Sequence, residues 1–561
     1  MRTHGIRALI FLLLLLVGLG LLLRILGHLV GAARWRHVPL SAGSIPVPQT
    51  HALVWKTSSP LTEELLMDWA SQPLPDWQEE GKVTAPRVLM AKFALQQDLD
   101  AANAYLLAQV PWGRSGSTWE LHEEGDYDFT LAALTAILYL YGDEPEVLYP
   151  DTRVHLLDTL LVEEGGRPRG GRLRTAVPRT LGLVRDTENH LLMTEGSRYL
   201  KNRWLALHGS EDPAYDNRRN GLEAWMLDLL AELQTAGLYE FNSIPYMGYT
   251  LTALMNLEAW GSEDVRAAAH EVLDRANWVY ALGSLNYRRC APFRRQLKRA
   301  DLASLDADYH TALIKTWMSL HPDTPPVPDL TEGRHHALWA ALLPYRLPDD
   351  TARWILAKPG PYFVRLGHGP WSSPELYSGG PGYLISAGGV HRGKRSMIAA
   401  RPITLLLDVA LDGEARKLED VLHLAGPGEA FTEWNNTGVH QDFAVAAGPV
   451  HVPESWTAGF ANELWEIYPV AEDLSIAVHS QTDLGIVAVF QDGDARAVLN
   501  AVSRVNGSGI TLKRAFRWPD GPELTYNPHA PKNCWVMIAV DGEPLDRAFD
   551  DWPLLDGWIG E

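Results

Sequence analysis

The sequence has few cysteines, fewer basic than acidic residues and, after Val30, no long uncharged hydrophobic run. Two cysteines, Cys290 and Cys534, exclude a disulfide framework and a Cys-x-x-Cys zinc pair, and leave one disulfide open. Lys and Arg total 49 against 69 Asp and Glu, a net charge of −20. Because phosphate affinity comes mainly from basic side chains, a nucleic-acid partner is not expected. We find no fixed-period repeat, which disfavours a repeat solenoid.

The hydrophobic run that is present lies at the N-terminus. Ala8–Val30 is apolar apart from Arg24 and His28. As a helix it extends about 35 Å, enough to cross a hydrocarbon core of about 30 Å. We therefore interpret residues 1–36 as a single uncleaved anchor, with the bilayer as partner of residues 8–30. A cleaved signal peptide stays an alternative, because arginines precede the run and the small residues Gly31-Ala32-Ala33 follow it.

The rest of the 561-residue chain reads as a linker, a helical domain and a β domain. Residues 37–59 form the linker, and residues 60–345 carry about ten helical patterns joined by turns, including one long helix over Val88–Val110. Stacked helical hairpins of this kind form a bundle, a solenoid or an α/α toroid. Residues 359–561 hold short β-rich runs separated by Gly, Asn and Asp, which predict an antiparallel β-sandwich. The predicted class is multidomain α and β.

Two polar clusters stand at predicted helix starts. In the first, Glu188, Asn189 and His190 follow Thr187, and in the second, Tyr246 follows Pro245. Glu188 suits the positive end of a helix dipole, but Asn and His are middling helix formers, which suggests a role beyond capping. Helix starts on one rim of a hairpin array converge, so we expect the two clusters to meet. The structural alternative is that these are ordinary first-turn and core residues.

At these residues the sequence resembles a family, the heparinase II/III-like and oligoalginate-lyase polysaccharide lyases. The resemblance rests on Asn189-His190, on Tyr246-Met247-Gly248-Tyr249, and on the helix-start motif Gly125-Asp126-Tyr127-Asp128-Phe129. The likeness of domain order runs from Pro60 to Gly557. It implies an α/α toroid followed by an antiparallel β-sandwich, and β-elimination on uronate-containing glycans. The implied partner is an acidic polysaccharide or oligosaccharide, so the soluble domains of this single-pass protein are expected in the periplasm or outside the cell.

The resemblance also implies roles for individual residues. Asn189 and His190 would neutralise the uronate carboxylate, each contributing on the order of a hundredfold or more in rate. Tyr246 would transfer the proton, with Tyr249 ranked second. Glu188 is an additional candidate. The elimination itself needs no metal and no cofactor, so none is expected.

A second acid or base is expected from the β domain, where no residue aligns clearly. The candidates are Tyr377, Tyr383, His391 and His440. His440 and Asp442 form a His-x-Asp pattern, which on a strand would place both side chains on one face and could contribute to a metal site, the weaker interpretation. Arg288 and Arg289, and the basic run Arg167–Arg174, are candidates for binding substrate carboxylates, and the alternative is that they are solvated loops or lie near anionic lipid. Arg294 and Arg295, a few residues after Arg288 and Arg289, belong to the same group of candidates.

Two other functions stay open. A glycoside hydrolase would use a pair of carboxylates, since α/α toroids also carry such sites. A catalytically silent glycan-binding or envelope protein is the other, because a fold does not determine function. The carboxylates at predicted helix starts that would serve the hydrolase are Glu123, Glu124, Asp126, Asp128 and Glu188.

Overall fold

The computed structural model describes residues 2–34, 38–118, 124–166, 177, 185–300, 302–393, 396–413, 415–424, 426, 434–491 and 493–560. Helices come first and antiparallel sheets follow, which confirms the mixed α and β class. The contacts divide the chain into two compact units. Unit 1 comprises Met1–His37 with Pro73–Met226, and unit 2 comprises Val38–Gln72 with Leu227–Glu561. The domain boundaries given above stay predictions.

The N-terminal helix α1 covers Arg2–Arg34. Its segment Leu9–Leu26 is exposed throughout and is long and apolar enough to cross a membrane. Those properties are shared by a membrane anchor and a signal sequence, so the two interpretations stand side by side.

Unit 1 also contains a set of packed helices. Besides α1, the α-helices described in this unit are α3 (Trp77–Glu80), α4 (Thr84–Ala94), α5 (Leu99–Leu107), α6 (Asp128–Tyr141), α7 (Pro150–His155) and α8 (Glu188–Leu207), and α9 (Leu222–Ala236) runs across the boundary into unit 2. Helix α4 packs on α5 and α6, and α6 packs on α8.

The helices of unit 2 pack in neighbouring pairs. Helix α10 packs on α11, α11 on α14, and α12 on α13, while α2 packs on α12 and α13. Ser59 caps α2: its hydroxyl accepts from Thr62 N, and the Thr62 hydroxyl accepts in return from Ser59 N. The bounds are α2 (Pro60–Ser71), α10 (Tyr246–Trp260), α11 (Glu263–Leu282), α12 (Tyr309–Leu320), α13 (Arg334–Leu342) and α14 (Asp349–Leu356).

The three larger antiparallel sheets among the described strands share one core. One buried hydrophobic cluster takes in residues from the seven-stranded, six-stranded and four-stranded sheets, among them Leu405, Ile476 and Leu524. The seven-stranded sheet has the order β10-β7-β6-β4-β3-β2-β19, the six-stranded sheet β11-β12-β13-β14-β9-β8 and the four-stranded sheet β15-β16-β17-β18, and β1 pairs with β5. The bounds are β1 (Phe293–Arg294), β2 (Tyr362–Leu366), β3 (Glu375–Gly380), β4 (Tyr383–Gly388), β5 (Ile398–Ala399), β6 (Ile403–Leu407), β7 (Leu422–Leu424), β8 (Val439–His440), β9 (Phe443–Ala446), β10 (Val450–His451), β11 (Phe460–Ala461), β12 (Glu466–Ala471), β13 (Leu474–Gln481), β14 (Leu484–Phe490), β15 (Ala515–Arg517), β16 (Glu523–Tyr526), β17 (Met537–Val540), β18 (Glu543–Pro544) and β19 (Asp556–Ile559).

Residues 38–58, which we call the strap, lead into α2 and are hydrogen-bonded along their length to the rest of unit 2. Ile45 N donates to Leu555 O, and the Ser44 hydroxyl donates to Asp556 and to Gly557 O. Farther along, Ala52 N donates to Asp349 Oδ2. Residues predicted to be a linker are therefore held to both helical and β parts of unit 2.

One local prediction is wrong, and one feature was not predicted. The helix predicted over Val88–Val110 is interrupted between α4 and α5, where Gln96 and Asp98 adopt left-handed backbone angles with φ of 51° and 52°. In the β region, the short helix α15 (Val409–Asp412) follows β6, and the amphipathic helix α16 (Ala495–Val505) follows β14, with the Asp494 side chain capping its first amides.

Candidate functional site

The best-built polar site of unit 1 joins the starts of α6 and α8. Asp128 is the first residue of α6, and His190 lies in the first turn of α8. His190 Nδ1 and Asp128 Oδ2 are 2.8 Å apart, and both residues are buried. The packing of α6 against α8 brings together two residues 62 positions apart in the chain. We call Asp126, Asp128, Asp186 and His190 the Asp–His cluster.

The three aspartates of the cluster determine the charge of its histidine. Burial alone would lower the pKa of His190, but the charges of Asp128, Asp186 and Asp126 outweigh it and raise that pKa to about 9. His190 is therefore an imidazolium ion at neutral pH. In that form it serves as a fixed positive charge or a proton donor, and not as a base.

The other two aspartates are held by donors of their own, which are loop amides for Asp186 and a lysine for Asp126. Asp186 accepts from Ser117 N and from Thr187 N, each at 2.9 Å. Asp126 accepts from Lys82 Nζ at 2.5 Å. Burial would raise the pKa of Asp126, but Lys82 and His190 together lower it, so Asp126 is ionised at neutral pH. Each carboxylate thus has a donor that holds it in place.

The motif Gly125–Phe129 begins with glycine because two loops approach each other closely at that residue. A Cβ on Gly125 would lie 2.7 Å from both Gly116 O and Thr118 N, closer than real Cβ contacts. The nearby Gly116 N donates to Asp128 Oδ1 at 3.1 Å. Glycine here lets the loop before α6 wrap around the aspartate that holds His190.

Asn189 lies beside His190 and is fully buried. Its Oδ1 accepts from the Thr187 hydroxyl, while its Nδ2 makes no hydrogen bond to any residue that the structure describes. A buried N–H without an acceptor costs about 1–3 kcal/mol, so such a group suits an acceptor from a ligand. Glu188, the first residue of α8, is also fully buried.

Tyr246 starts α10 in unit 2 and is half-buried. Its hydroxyl accepts from Gln296 Nε2 at 3.0 Å, and the Arg295 guanidinium lies 4.8 Å from the ring centre. Arg295 also forms an ion pair of 2.5 Å with Glu240. Arg295 and Gln296 both have left-handed backbone angles, so this loop is bent toward Tyr246 at some conformational cost.

Tyr249, one turn after Tyr246, is packed into the helices. It is 7% exposed, its hydroxyl lies 3.3 Å from His335 Nε2, and its ring meets the His336 ring edge-on. Gly248 permits this packing, because a Cβ there would lie 2.5 Å from the His336 ring. These contacts give Tyr249 a structural role in joining α10 to α13.

Arg288 and Arg289 are both buried, with different surroundings. The Arg288 guanidinium donates to Asp412, to Ala415 O and to Leu407 O, and its contacts are therefore internal. Arg289 donates to Asn242 Oδ1 at 2.6 Å and lines a small pocket.

A buried carboxylate that the sequence analysis missed lies next to Asn242. Glu375 accepts from Asn242 Nδ2 at 2.6 Å, from Tyr377 and from His368, whose Nε2 is 2.6 Å away. Burial would raise the pKa of Glu375, but His368, Tyr377 and Arg289 outweigh it and lower that pKa. Glu375 and His368 form the polar end of a small pocket with an otherwise largely apolar wall. Asn242 adopts a left-handed backbone angle with φ of 50° where it meets Glu375, and the sequence alone does not reveal this.

The β-domain candidates are distributed among separate places. Tyr377 and Tyr383 are fully buried, and Tyr383 donates to Asp442. His391 Nδ1 lies 2.8 Å from Ile398 O. None of these contacts joins two of the candidates.

The expected strand geometry of the His-x-Asp pattern is wrong. His440 ends β8, whereas Asp442 lies in the two-residue turn before β9. His440 packs near Phe363 and Trp535, and burial lowers its pKa to about 4. His440 is therefore neutral at pH 7.

The structure thus brings Asn189 and His190 together with three aspartates in unit 1. Tyr246 belongs to unit 2, and its meeting with that pair stays a prediction. The basic run Arg167–Arg174 and Glu123 lie outside the described residues.

In comparisons with protein-family models, curated proteins and solved structures, the chain matches none of them.

Proposed function

We propose that the chain is a membrane-anchored polysaccharide lyase that cleaves uronate-containing glycans by β-elimination, with its helices forming an α/α toroid and its sheets a β-sandwich. The observation that supports this best is the pairing of a buried imidazolium, His190, with the unused Nδ2 of Asn189. A cation and a neutral N–H donor together suit a carboxylate. In this proposal the soluble part faces the periplasm or the cell exterior, where acidic polysaccharides occur.

The first task of the site is to make the substrate proton acidic enough to remove. That proton is on the carbon next to the uronate carboxylate, and its loss places a second negative charge on the carboxylate oxygens. Asn189 Nδ2 donates to one of these oxygens, and the His190 imidazolium offsets the growing charge. Donors of this kind are each worth on the order of a hundredfold or more in rate.

The second task is proton transfer, which we assign to Tyr246. In this step Tyr246 acts as a phenolate: its oxygen takes the proton from carbon, the electron pair of the broken carbon–hydrogen bond forms the carbon–carbon double bond, and the glycosidic carbon–oxygen bond breaks. The phenol formed in this way then gives its proton to the leaving oxygen, which restores the phenolate. The Gln296 N–H on the oxygen and the nearby Arg295 stabilise the negative charge of the phenolate.

A glycoside hydrolase is the second candidate, because Asp126, Asp128, Asp186 and Glu188 gather carboxylates near two helix starts. This acidic surplus also opposes an anionic substrate. Asp126, Asp128 and Asp186 are occupied in holding Lys82, His190 and loop amides, which favours a supporting role for them and the lyase as first candidate.

The decisive experiment incubates the full chain in detergent with alginate, heparan, chondroitin and hyaluronan, and with a neutral glucan as control. A lyase produces an unsaturated uronate seen by ultraviolet absorbance, in step with new reducing ends. New reducing ends without the absorbance would establish the hydrolase and refute the lyase. Binding without either product would refute both enzymes and support the glycan-binding alternative.

A further inference from the structure

Two histidines and an aspartate form a cluster in unit 2 that shares no residue with the Asp–His cluster. His51 belongs to the strap, and His270 and Asp274 lie one turn apart on α11. Their nearest ligand atoms are all within 4.8 Å of one another. His270 Nε2 is 3.4 Å from Asp274 Oδ2, and His51 Nε2 is 3.9 Å from the same oxygen.

The shortest of these separations fits neighbouring ligands of a tetrahedral metal ion, and the longer ones exceed that spacing by at most about 1.5 Å. Bonds of about 2.0–2.1 Å to nitrogen or oxygen place neighbouring ligand atoms about 3.3 Å apart. Two histidine nitrogens and one carboxylate oxygen make up a common set for Zn²⁺, with the fourth position left for water. Small side-chain rotations at His51, which is 30% exposed, would close the longer separation.

Two further contacts resemble the outer shell of a metal centre. Glu258 Oε1 lies 3.3 Å from His270 Nδ1, which leaves Nε2 of that ring directed to Asp274. A carboxylate behind a histidine is the usual support for a metal ligand. Tyr345 donates to Asp274 Oδ1 at 2.8 Å and fixes this carboxylate from the other side.

The free oxygen of Asp274 is the independent sign of a ligand. Asp274 is 1% exposed, and its Oδ2 makes no hydrogen bond to any residue within the described ranges. This buried oxygen faces both histidines. The acidic residues Glu258 and Glu271 place further negative charge near His270. A divalent cation would satisfy Oδ2 and balance the local negative charge.

We propose that His51, His270 and Asp274 bind a divalent transition metal, with Zn²⁺ as the probe ion. The metal fastens the strap to α11 by joining His51 to two residues of that helix. Its role is structural, and it is independent of the proposed lyase reaction.

The test measures Zn²⁺ binding to the full-length chain in detergent, after removal of metal and of any purification tag. Calorimetry is expected to give one site, and Co²⁺ in its place is expected to show the visible absorption of a tetrahedral centre. The thermal midpoint is expected to rise with Zn²⁺ concentration, because the ion binds the folded chain. His51→Ala, at a partly exposed position, is expected to weaken binding at least tenfold and to abolish the thermal shift.

The matched control is His208→Ala, since His208 also pairs with an aspartate, Asp143, at 2.8 Å. That pair belongs to no three-ligand group among the described residues, so this variant should bind Zn²⁺ like the unaltered chain. Absence of a Zn²⁺ site in the unaltered chain would overturn the proposal. Equal affinity of the unaltered chain and His51→Ala, or equal losses in His51→Ala and His208→Ala, would also overturn it.

Discussion

Replacing Asp128 by Asn tests whether the buried pair with His190 stabilises unit 1 through charge. The side chains of Asp128 and His190 are 0% and 4% exposed, so water screens their attraction poorly. The pKa of His190 rises from its ordinary 6.5 to about 9. At about 1.4 kcal/mol for each tenfold change in proton affinity, this corresponds to about 3 kcal/mol of stability.

The pH at which this stability appears follows from the direction of the shift. Because the folded pKa of His190 is raised, its contribution is complete below pH 6.5 and is lost as the pH rises through about 9. Asp186 and Asp126 stay in place in Asp128→Asn, so this variant should lower the free energy of unfolding by at most about 3 kcal/mol at the acidic end of this range. Above the range, only the loss of a hydrogen bond, about 1 kcal/mol, should remain.

The measurement is chemical denaturation followed by tryptophan fluorescence, at one pH on each side of the window. Asp143→Asn is the control, because Asp143 Oδ1 and His208 Nε2 are also 2.8 Å apart but their side chains are 70% and 38% exposed. That variant should lose less than about 1 kcal/mol at either pH. A loss in Asp128→Asn that is the same at both pH values would contradict the charged-pair argument.

Three further predictions concern single side chains. Tyr246→Phe should abolish formation of the unsaturated product while glycan binding persists, whereas Tyr468→Phe, in β12, should retain full activity; a fully active Tyr246→Phe would end the assignment. Asn189→Ala should slow turnover of uronate-containing chains by about a hundredfold, and an equal effect on neutral glycans would contradict its role. Arg288→Met should lower the free energy of unfolding by about 3 kcal/mol, because it leaves Asp412 buried without its cation. The control is Arg353→Met, which breaks the exposed pair of Arg353 with Asp350 and should lower the free energy of unfolding by less than about 1 kcal/mol.

Much of the helical part of the fold was predictable from local signals. The starts of α6 and α8 at Asp128 and Glu188 follow from polar residues at the head of apolar periodic stretches, and the start of α10 at Tyr246 follows from Pro245. The break between α4 and α5 was not predictable in this way, because neither Gly nor Pro marks it and its left-handed residues are Gln96 and Asp98. The helix α16 was missed because the surrounding composition is β-rich, although its buried Ala495, Val498 and Val502 lie on one helical face.

In the candidate site, too, the features set by local sequence were predictable and those set by tertiary packing were not. The order of residues predicted that Asn189 and His190 would share a helix start, but not that Asp128 would hold His190, since this contact depends on how α6 packs against α8. The His368–Glu375 pair was missed for the same reason, because it depends on the loop before β3. Arg288 illustrates the converse case, because its sequence neighbours indicate a basic loop while its partners, Asp412 and Leu407 O, are distant in the chain.

The strap has a consequence for the order in which the protein assembles. Ser44 donates to Asp556, a residue of β19 that follows it by 512 positions. At about 5–20 residues per second, synthesis of the intervening chain takes roughly 25 to 100 seconds. Throughout that time Ser44 has no access to this partner, because the edge strand that receives it has not yet been synthesised. Seating of residues 41–45 on β19 therefore comes late in folding, and loss of β19 would remove the partners of Ser44 while the contact of Ala52 with Asp349 remained.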